Sequence, residues 1–344
     1  MVVKVVLKGT PAEIGRQRVR ELRSTIHLAM DHLMTGHGPD VPACLEWGCR
    51  WQPDVQAKFP HLMEEIVAES RELGIGTDLG FAFNYRAWNA VNPHPSHPLA
   101  CYNILFRDSV RGPLLGGVVE DGYPYYVMEE IHPKGGIPHF AVTLAGTCWA
   151  VRGFNAEGLA VGQVSAFPGE YFRADSTYRW GTQDYSRGYF ILRTALQTLS
   201  TAREASEFCS QHDAMGTFMF ADRKGEAFVV EKAGRLGLIR KCEGSVAVSG
   251  GHYSEPLIRS LLDVGVAHAP YPNSLARQQS VFRKTAGRAP DLELMKTMLT
   301  SHENGEGWFC IDITQMTTIA IPQAGKFLVA GYVPCTSGFV EYEF

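Results

Sequence analysis

Pro98-Leu-Ala-Cys-Tyr-Asn103 is the stretch on which the reading of this sequence turns. Upstream, the chain reads as helices. Downstream, it breaks into short β-type runs, and Cys101 stands where one regime gives way to the other. Immediately before it, Asn92-Pro-His-Pro-Ser-His-Pro98 carries three prolines in seven residues, which forbids helix and predicts an extended loop. A cysteine that opens a strand after such a loop has a specific chemical option. If the Ala100–Cys101 peptide bond is cut, a free α-amino group lies beside its own thiol. With an ordinary pKa near 7.7, that amine takes the thiol proton at neutral pH without a histidine base. The cut itself requires only attack of the thiol on the preceding carbonyl and hydrolysis of the thioester. The competing reading is an ordinary strand cysteine.

Working outward, Thr10-Pro-Ala-Glu13 forms a capping box with proline at the first helical position, and Ile14, Val19, Leu22, Ile26 and Leu33 continue at helical spacing. Residues 60–73 form a second helix ended by Gly74, and 77–88 a third. Residues 1–10 read as a strand running into a turn. From 99 onward, strands are expected at 99–106, 114–119, 123–128, 140–144, 149–154 and 159–165. Helices at 184–199 and 201–212 follow, then strands at 217–221, 227–231, 236–240 and 245–248, helices at 273–284 and 291–299, and strands at 308–312, 317–321 and 326–330. Strands grouped apart from helices predict an α+β fold with helices covering sheet faces.

The 344 residues carry 32 Lys plus Arg against 36 Asp plus Glu, a formal charge of −4 that is too weak and mixed to hold a polyanion, so no nucleic-acid partner is expected. No apolar run approaches the roughly 20 residues of a bilayer-spanning helix, so no membrane association is expected, and the opening residues lack a secretory pattern. The expected location is cytoplasmic. The eight cysteines form no CxxC pair, and no metal or other cofactor is expected from their spacing. His94 and His97 lack a carboxylate or thiol partner at usable spacing. Cys44 and Cys49, flanked by Trp47 and Trp51, either clip a loop or are buried thiols, and a reducing compartment favours thiols.

Several stretches together resemble the acyl-coenzyme A:6-aminopenicillanic acid acyltransferase family (peptidase family C45), within the N-terminal-nucleophile hydrolases. They are Gly9-Thr-Pro-Ala-Glu-Ile-Gly15, Phe59-Pro-His-Leu-Met-Glu-Glu-Ile66, the Cys101 junction, Leu115-Gly-Gly-Val-Val-Glu-Asp121, Ala145-Gly146, Gly153-Phe-Asn-Ala-Glu-Gly-Leu-Ala-Val161, Ser274-Leu-Ala-Arg-Gln-Gln279 and His302-Glu-Asn304 before Cys310. The resemblance implies a four-layer αββα sandwich of two antiparallel sheets between helical layers. It also implies a precursor cut between Ala100 and Cys101 into an N-terminal helical segment (1–100) and a core (101–344), with Cys101 as nucleophile and Asp121 as its acidic support.

Four positions depart from the family pattern. Its oxyanion-donating Asn falls on Val164, leaving Gln163 or Ser165 as the donor if a bulge shifts the strand by one residue. Its site Arg falls on Ile311, the small hydroxyl residue after the nucleophile is Tyr102, and the Asn of its Gly-x-Asn-x-Asp stretch is Val119. Tyr102, Tyr123, Trp149 and Ser165 are candidate substrate contacts, within a wider aromatic set that includes Tyr125, Tyr126, Tyr171 and Trp180. The implied activity is hydrolysis or acyl transfer on a small amide or thioester through an acyl-enzyme. Two alternatives stand beside it: a family member without chemistry that binds a small ligand or partner, and an unprocessed thiol enzyme activated by His252 or His302.

Overall fold

The computed structural model describes residues 2–36, 41–87, 101–166, 186–261, 270–302 and 309–344. The 92–98 loop with His94 and His97, Ala100, Tyr171 and Trp180 lie outside the described residues.

The N-terminal segment opens with strand β1 (Lys4–Gly9) and helix α1 (Pro11–Met30). The capping box is formed as expected: the Glu13 amide donates to Thr10 Oγ1 at 3.3 Å, and the Thr10 amide donates to Glu13 Oε2 at 2.8 Å. Helices α2 (Val41–Lys58), α3 (Pro60–Leu73) and α4 (Thr77–Asn84) follow. Helix α2 is not anticipated by the sequence reading, and Cys44 and Cys49 lie on it as free thiols, one buried and one exposed, rather than clipping a loop. Its two prolines explain the difference. Pro42 is tolerated in the first turn, whereas Pro53 interrupts the interior pattern at the cost of one hydrogen bond.

The core supplies strands β2 (Tyr102–Ser109), β3 (Gly112–Glu120), β4 (Tyr126–Pro133), β5 (His139–Leu144), β6 (Arg152–Asn155) and β7 (Ala160–Val164). Helices α5 (Arg187–Thr198) and α6 (Ala202–Gln211) lead to β8 (Ala214–Ala221), β9 (Ala227–Gly234), β10 (Leu236–Lys241) and β11 (Val246–Ser249). Helices α7 (Pro256–Leu261), α8 (Pro270–Thr285) and α9 (Leu292–Leu299) precede β12 (Thr314–Ile321), β13 (Lys326–Ala330), the short helix α10 (Pro334–Ser337) and β14 (Val340–Glu343). Several strand expectations shift. The strand expected at 123–128 runs from Tyr126 to Pro133, Trp149 precedes β6 instead of belonging to it, and 309–313 forms no strand, because Thr314 Oγ1 holds Ile311 N and Phe309 O in a local loop.

Two sheets result, ordered β1-β4-β5-β6-β7-β8-β9-β10 and β11-β2-β3-β12-β13-β14. Helices α1, α5 and α6 cover the first, α8 and α9 the second, and the sheets face each other. Phe140 of β5 stacks on Phe327 of β13 at 5.9 Å, and Phe154 of β6 on the same ring at 6.2 Å. This is the four-layer αββα sandwich. Strands covered on both faces must be apolar throughout, and β5 and β8 are buried along their whole length. One pairing departs from the antiparallel expectation: β1 runs parallel to β4, from Lys4 opposite Met128 to Gly9 opposite Pro133. The N-terminal segment thus contributes a strand as well as helices, and its apolar side chains share one core with those of β4 and β5. Among the described residues no helix is long and apolar enough to cross a membrane.

Candidate active site around Cys101

Cys101 immediately precedes β2, and its position is set by the β2–β3 pairing, in which Tyr102 lies opposite Val118. Its Sγ accepts the Glu120 amide N–H at 3.3 Å and donates toward the Glu120 carbonyl at 3.6 Å. The residue is 8% exposed. Burial, then the nearby Glu120 charge, push the thiol pKa up to about 11, opposed by the Glu120 amide and the Arg152 guanidinium. This sulfur is a protonated thiol at neutral pH.

Two acidic residues at the end of β3 flank it, and each is held by an arginine from a different layer. Glu120 forms a fully buried two-pronged pair with Arg277 of α8, at 2.6 and 3.0 Å. Asp121 accepts from Arg86 at 3.0 Å and from the Tyr126 hydroxyl at 2.8 Å, while Gln315 Nε2 donates to its main-chain carbonyl at 2.7 Å. Arg86 follows α4 with φ of 54°, a left-handed conformation that strains a non-glycine residue. That strain is held by the pairing with Asp121 and by a 3.3 Å contact to the Tyr189 hydroxyl.

A third guanidinium enters from the opposite sheet. Arg152 of β6 reaches across and donates to the Tyr102 and Val118 carbonyls at 2.6 and 3.0 Å. Gly117 makes the room: a Cβ there would sit 2.3 Å from Arg152 Nη1 and 2.2 Å from the Tyr102 carbonyl oxygen. Gly162 does the same on β7, where a Cβ would meet Asn103 Oδ1 at 2.6 Å and Arg152 Nη1 at 3.0 Å. Arg152 is buried, its Nε has no hydrogen-bond partner among the described residues, and burial lowers its pKa to about 10. Asn103, two residues beyond Cys101 and hence on the same strand face, donates to Gly162 O at 3.3 Å and Ser249 Oγ at 2.9 Å.

The remaining expected site residues are dispersed. Gln163 alternates with Gly162 and so turns to the other face of β7, where its amide lies against Gly188 of α5 with no hydrogen-bond partner among the described residues. It therefore faces the helical layer and not the space between the sheets. Tyr102 likewise alternates with Cys101: its ring packs edge-on against Phe309 at 5.4 Å in the apolar layer beneath α9, and its hydroxyl pKa is pushed up by burial. Trp149 is core, stacked on Tyr189 at 4.6 Å with Nε1 donating to Asn84 O. Tyr123 is half-buried and edge-on to His32, and Ser165 is buried just past β7. His252 pairs with Ser274 at 2.7 Å, its pKa lowered to about 4 by burial, and His302 contacts Cys335 at 2.7 Å.

Sequence reasoning missed Arg86, Arg152, Asn103 and the Glu120–Arg277 pair. A signal was present for Arg277, which lies inside the Ser274–Gln279 stretch, and for Gly117, inside 115–121. Arg152 had none, because it approaches from a different sheet.

No protein-family profile and no curated protein matches the chain. Among solved structures, it is similar to the Caenorhabditis elegans ortholog of N-acylethanolamine-hydrolyzing acid amidase, at 14% identity and a TM-score of 0.46, over 65% of this chain and 93% of that one. It is also similar to a variant of conjugated bile acid hydrolase from Clostridium perfringens, at 12% identity and TM-score 0.42 over 71% and 97% of the two chains. A third is penicillin V acylase from Agrobacterium tumefaciens, at 10% identity and TM-score 0.44 over 71% and 86%.

Proposed function

We propose that this chain is a cysteine amide hydrolase or acyltransferase that cuts itself between Ala100 and Cys101. The observation that carries the proposal is the setting of Cys101: a sulfur at a strand start, 3.3 Å from an amide donor, with Arg152 in the same space between the sheets and Glu120 and Asp121 behind it. The resemblance to the acyltransferase family supports the same assignment.

In this reading the thiol attacks a substrate carbonyl and its proton passes to the freed α-amine, which returns it to the departing amine as the tetrahedral intermediate collapses to a thioester. Water or an acceptor amine then releases the acyl group. Gln163 faces away, so the oxyanion is assigned to donors on the Cys101 side: the Asn103 side-chain amide and the Arg152 guanidinium. Asp121 is assigned a positioning role, holding Arg86 and Tyr126 against the site. The substrate is a small amide or acyl thioester.

A second reading, binding without chemistry, is favoured by one observation, the thiol raised to about pKa 11. Intact mass and amino-terminal sequencing separate the two. Processing gives pieces of about 11 and about 27 kDa, in proportion to the lengths on either side of the cut, with a new terminus at Cys101. Cys101→Ala stays whole. An uncut wild-type chain whose Cys101 reacts with iodoacetamide no faster at neutral pH than in denatured protein decides for binding alone.

A further inference from the structure

His302, Cys310 and Cys335 are too far apart in sequence to form a zinc-ligand pattern, yet the fold gathers them at one end of the six-stranded sheet. His302 follows α9, Cys310 lies just before β12, and Cys335 is on α10 just after β13. The imidazole nitrogen and both sulfurs all lie within 4.8 Å of one another. His302 Nε2 is 2.7 Å from Cys335 Sγ, and both the main chain and the thiol of Cys335 lie against Cys310.

The main chain fixes this grouping from several sides. The Cys310 amide donates to Ser301 O at 3.2 Å, and Thr314 Oγ1 contacts Ile311 N and Phe309 O, so the buried ligand is braced before and after. Cys310 is buried, whereas His302 and Cys335 are exposed, which leaves the group open to solvent on one side.

We propose that His302, Cys310 and Cys335 bind one zinc ion, with water in the fourth position. Two sulfurs and an imidazole suit a borderline-soft ion and exclude calcium and magnesium, which take oxygen ligands. Zinc binds thiolates, so uptake releases both thiol protons and leaves a neutral Zn(Cys)2 unit with a neutral imidazole. Tetrahedral bonds of about 2.0 and 2.3 Å set the nitrogen and sulfur about 3.5 Å apart, a small outward turn for the exposed His302.

The ion sits behind the Cys101 site without entering it. Phe309, next to Cys310, packs against Tyr102 and lies 5.3 Å beneath Arg277, the partner of Glu120. Zinc therefore pins the wall that carries the Glu120–Arg277 pair. This inference does not depend on catalysis by Cys101.

The test uses the full chain, purified under reducing conditions without chelator. Elemental analysis is expected to give about one zinc per chain. Replacement by cobalt(II) is expected to give a thiolate-to-cobalt charge-transfer band with the intense visible bands of a tetrahedral site. Cys335→Ser and His302→Ala should each remove the metal and the band, and chelator should lower the wild-type Tm but not theirs. Cys101→Ala and Cys49→Ser should keep both. Zinc retained in Cys335→Ser and His302→Ala overturns the proposal. So does the lack of a cobalt band in the reduced wild type, including when Cys310 and Cys335 are isolated as a disulfide that takes up no metal after reduction.

Discussion

Two buried charge clusters hold this molecule together, and they are unbalanced in opposite directions. Between the N-terminal helices and the eight-stranded sheet, Arg18 of α1 meets Glu65, Glu69 and Glu129 at 2.9, 3.2 and 2.7 Å, and Glu65 also takes Arg193 of α5 at 3.0 Å. Three carboxylates share two guanidiniums there. The surplus is removed by a proton, because burial, with Glu129 and Glu65 nearby, raises Glu69 to a pKa of about 8 against the pull of Arg18. Around Cys101 the count reverses, with Arg86, Arg152 and Arg277 against Glu120 and Asp121. Here the surplus cation, Arg152, donates only to carbonyl oxygens among the described residues. The first cluster is closed on itself and serves stability. The second leaves positive charge beside the Cys101 sulfur.

Breaking the closed cluster should have the largest effect. Arg18→Met strands the buried Glu129 carboxylate and leaves Glu65 with Arg193 alone, and should cost about 3–5 kcal/mol in urea unfolding; a loss under 1 kcal/mol would mean that Glu129 takes up a proton in the variant.

Next comes the proton on Glu69. A carboxyl whose pKa is raised in the folded state is fully stabilising below its unfolded value near 4.5, and that stability is lost as pH climbs through the folded value of about 8. Wild-type stability should therefore fall between about pH 5 and pH 8 and level off above. Glu69→Gln should match wild type near pH 5 and exceed it by on the order of 2–4 kcal/mol near pH 8.5. Parallel stability–pH curves for the two proteins would refute a shared proton.

The open cluster should behave in the contrary manner. Arg152→Met relieves a desolvated cation but leaves two carbonyls unpaired, so it should change stability by less than about 2 kcal/mol. Cys101 alkylation should slow at least about tenfold, because the guanidinium favours the thiolate. A large stability loss with unchanged alkylation would recast Arg152 as structural.

Smallest of all is the exposed counterpart on the same helix. Arg20, 62% exposed, pairs with Glu72 at 3.0 Å, and Arg20→Ala should cost under about 1 kcal/mol, shrinking further in high salt.

The features that the sequence made legible are those carried by neighbouring residues. The Thr10–Glu13 box announced α1, and apolar runs broken by Gly marked most strands. Cys101 and Asp121 were singled out by position and family resemblance, and the structure places them at adjoining strand ends. The rest depended on contacts made across the fold. Arg18 and Glu129 are 111 positions apart, and Arg152 reaches Tyr102 from the facing sheet. Period-2 alternation fixed which of Gln163 and Gly162 faces the Cys101 side, but only once the register of β7 against β6 was known. The parallel seating of β1 and the helix containing Pro53 were hidden because local rules favour a hairpin partner in one case and a break in the other.

The seating of β1 beside β4 has a kinetic consequence. An intact chain delivers that edge strand to its place intramolecularly, at a rate independent of protein concentration. In the proposed cut form the same step becomes an encounter between two polypeptides, and recovery from denaturant should become second order and fail on dilution.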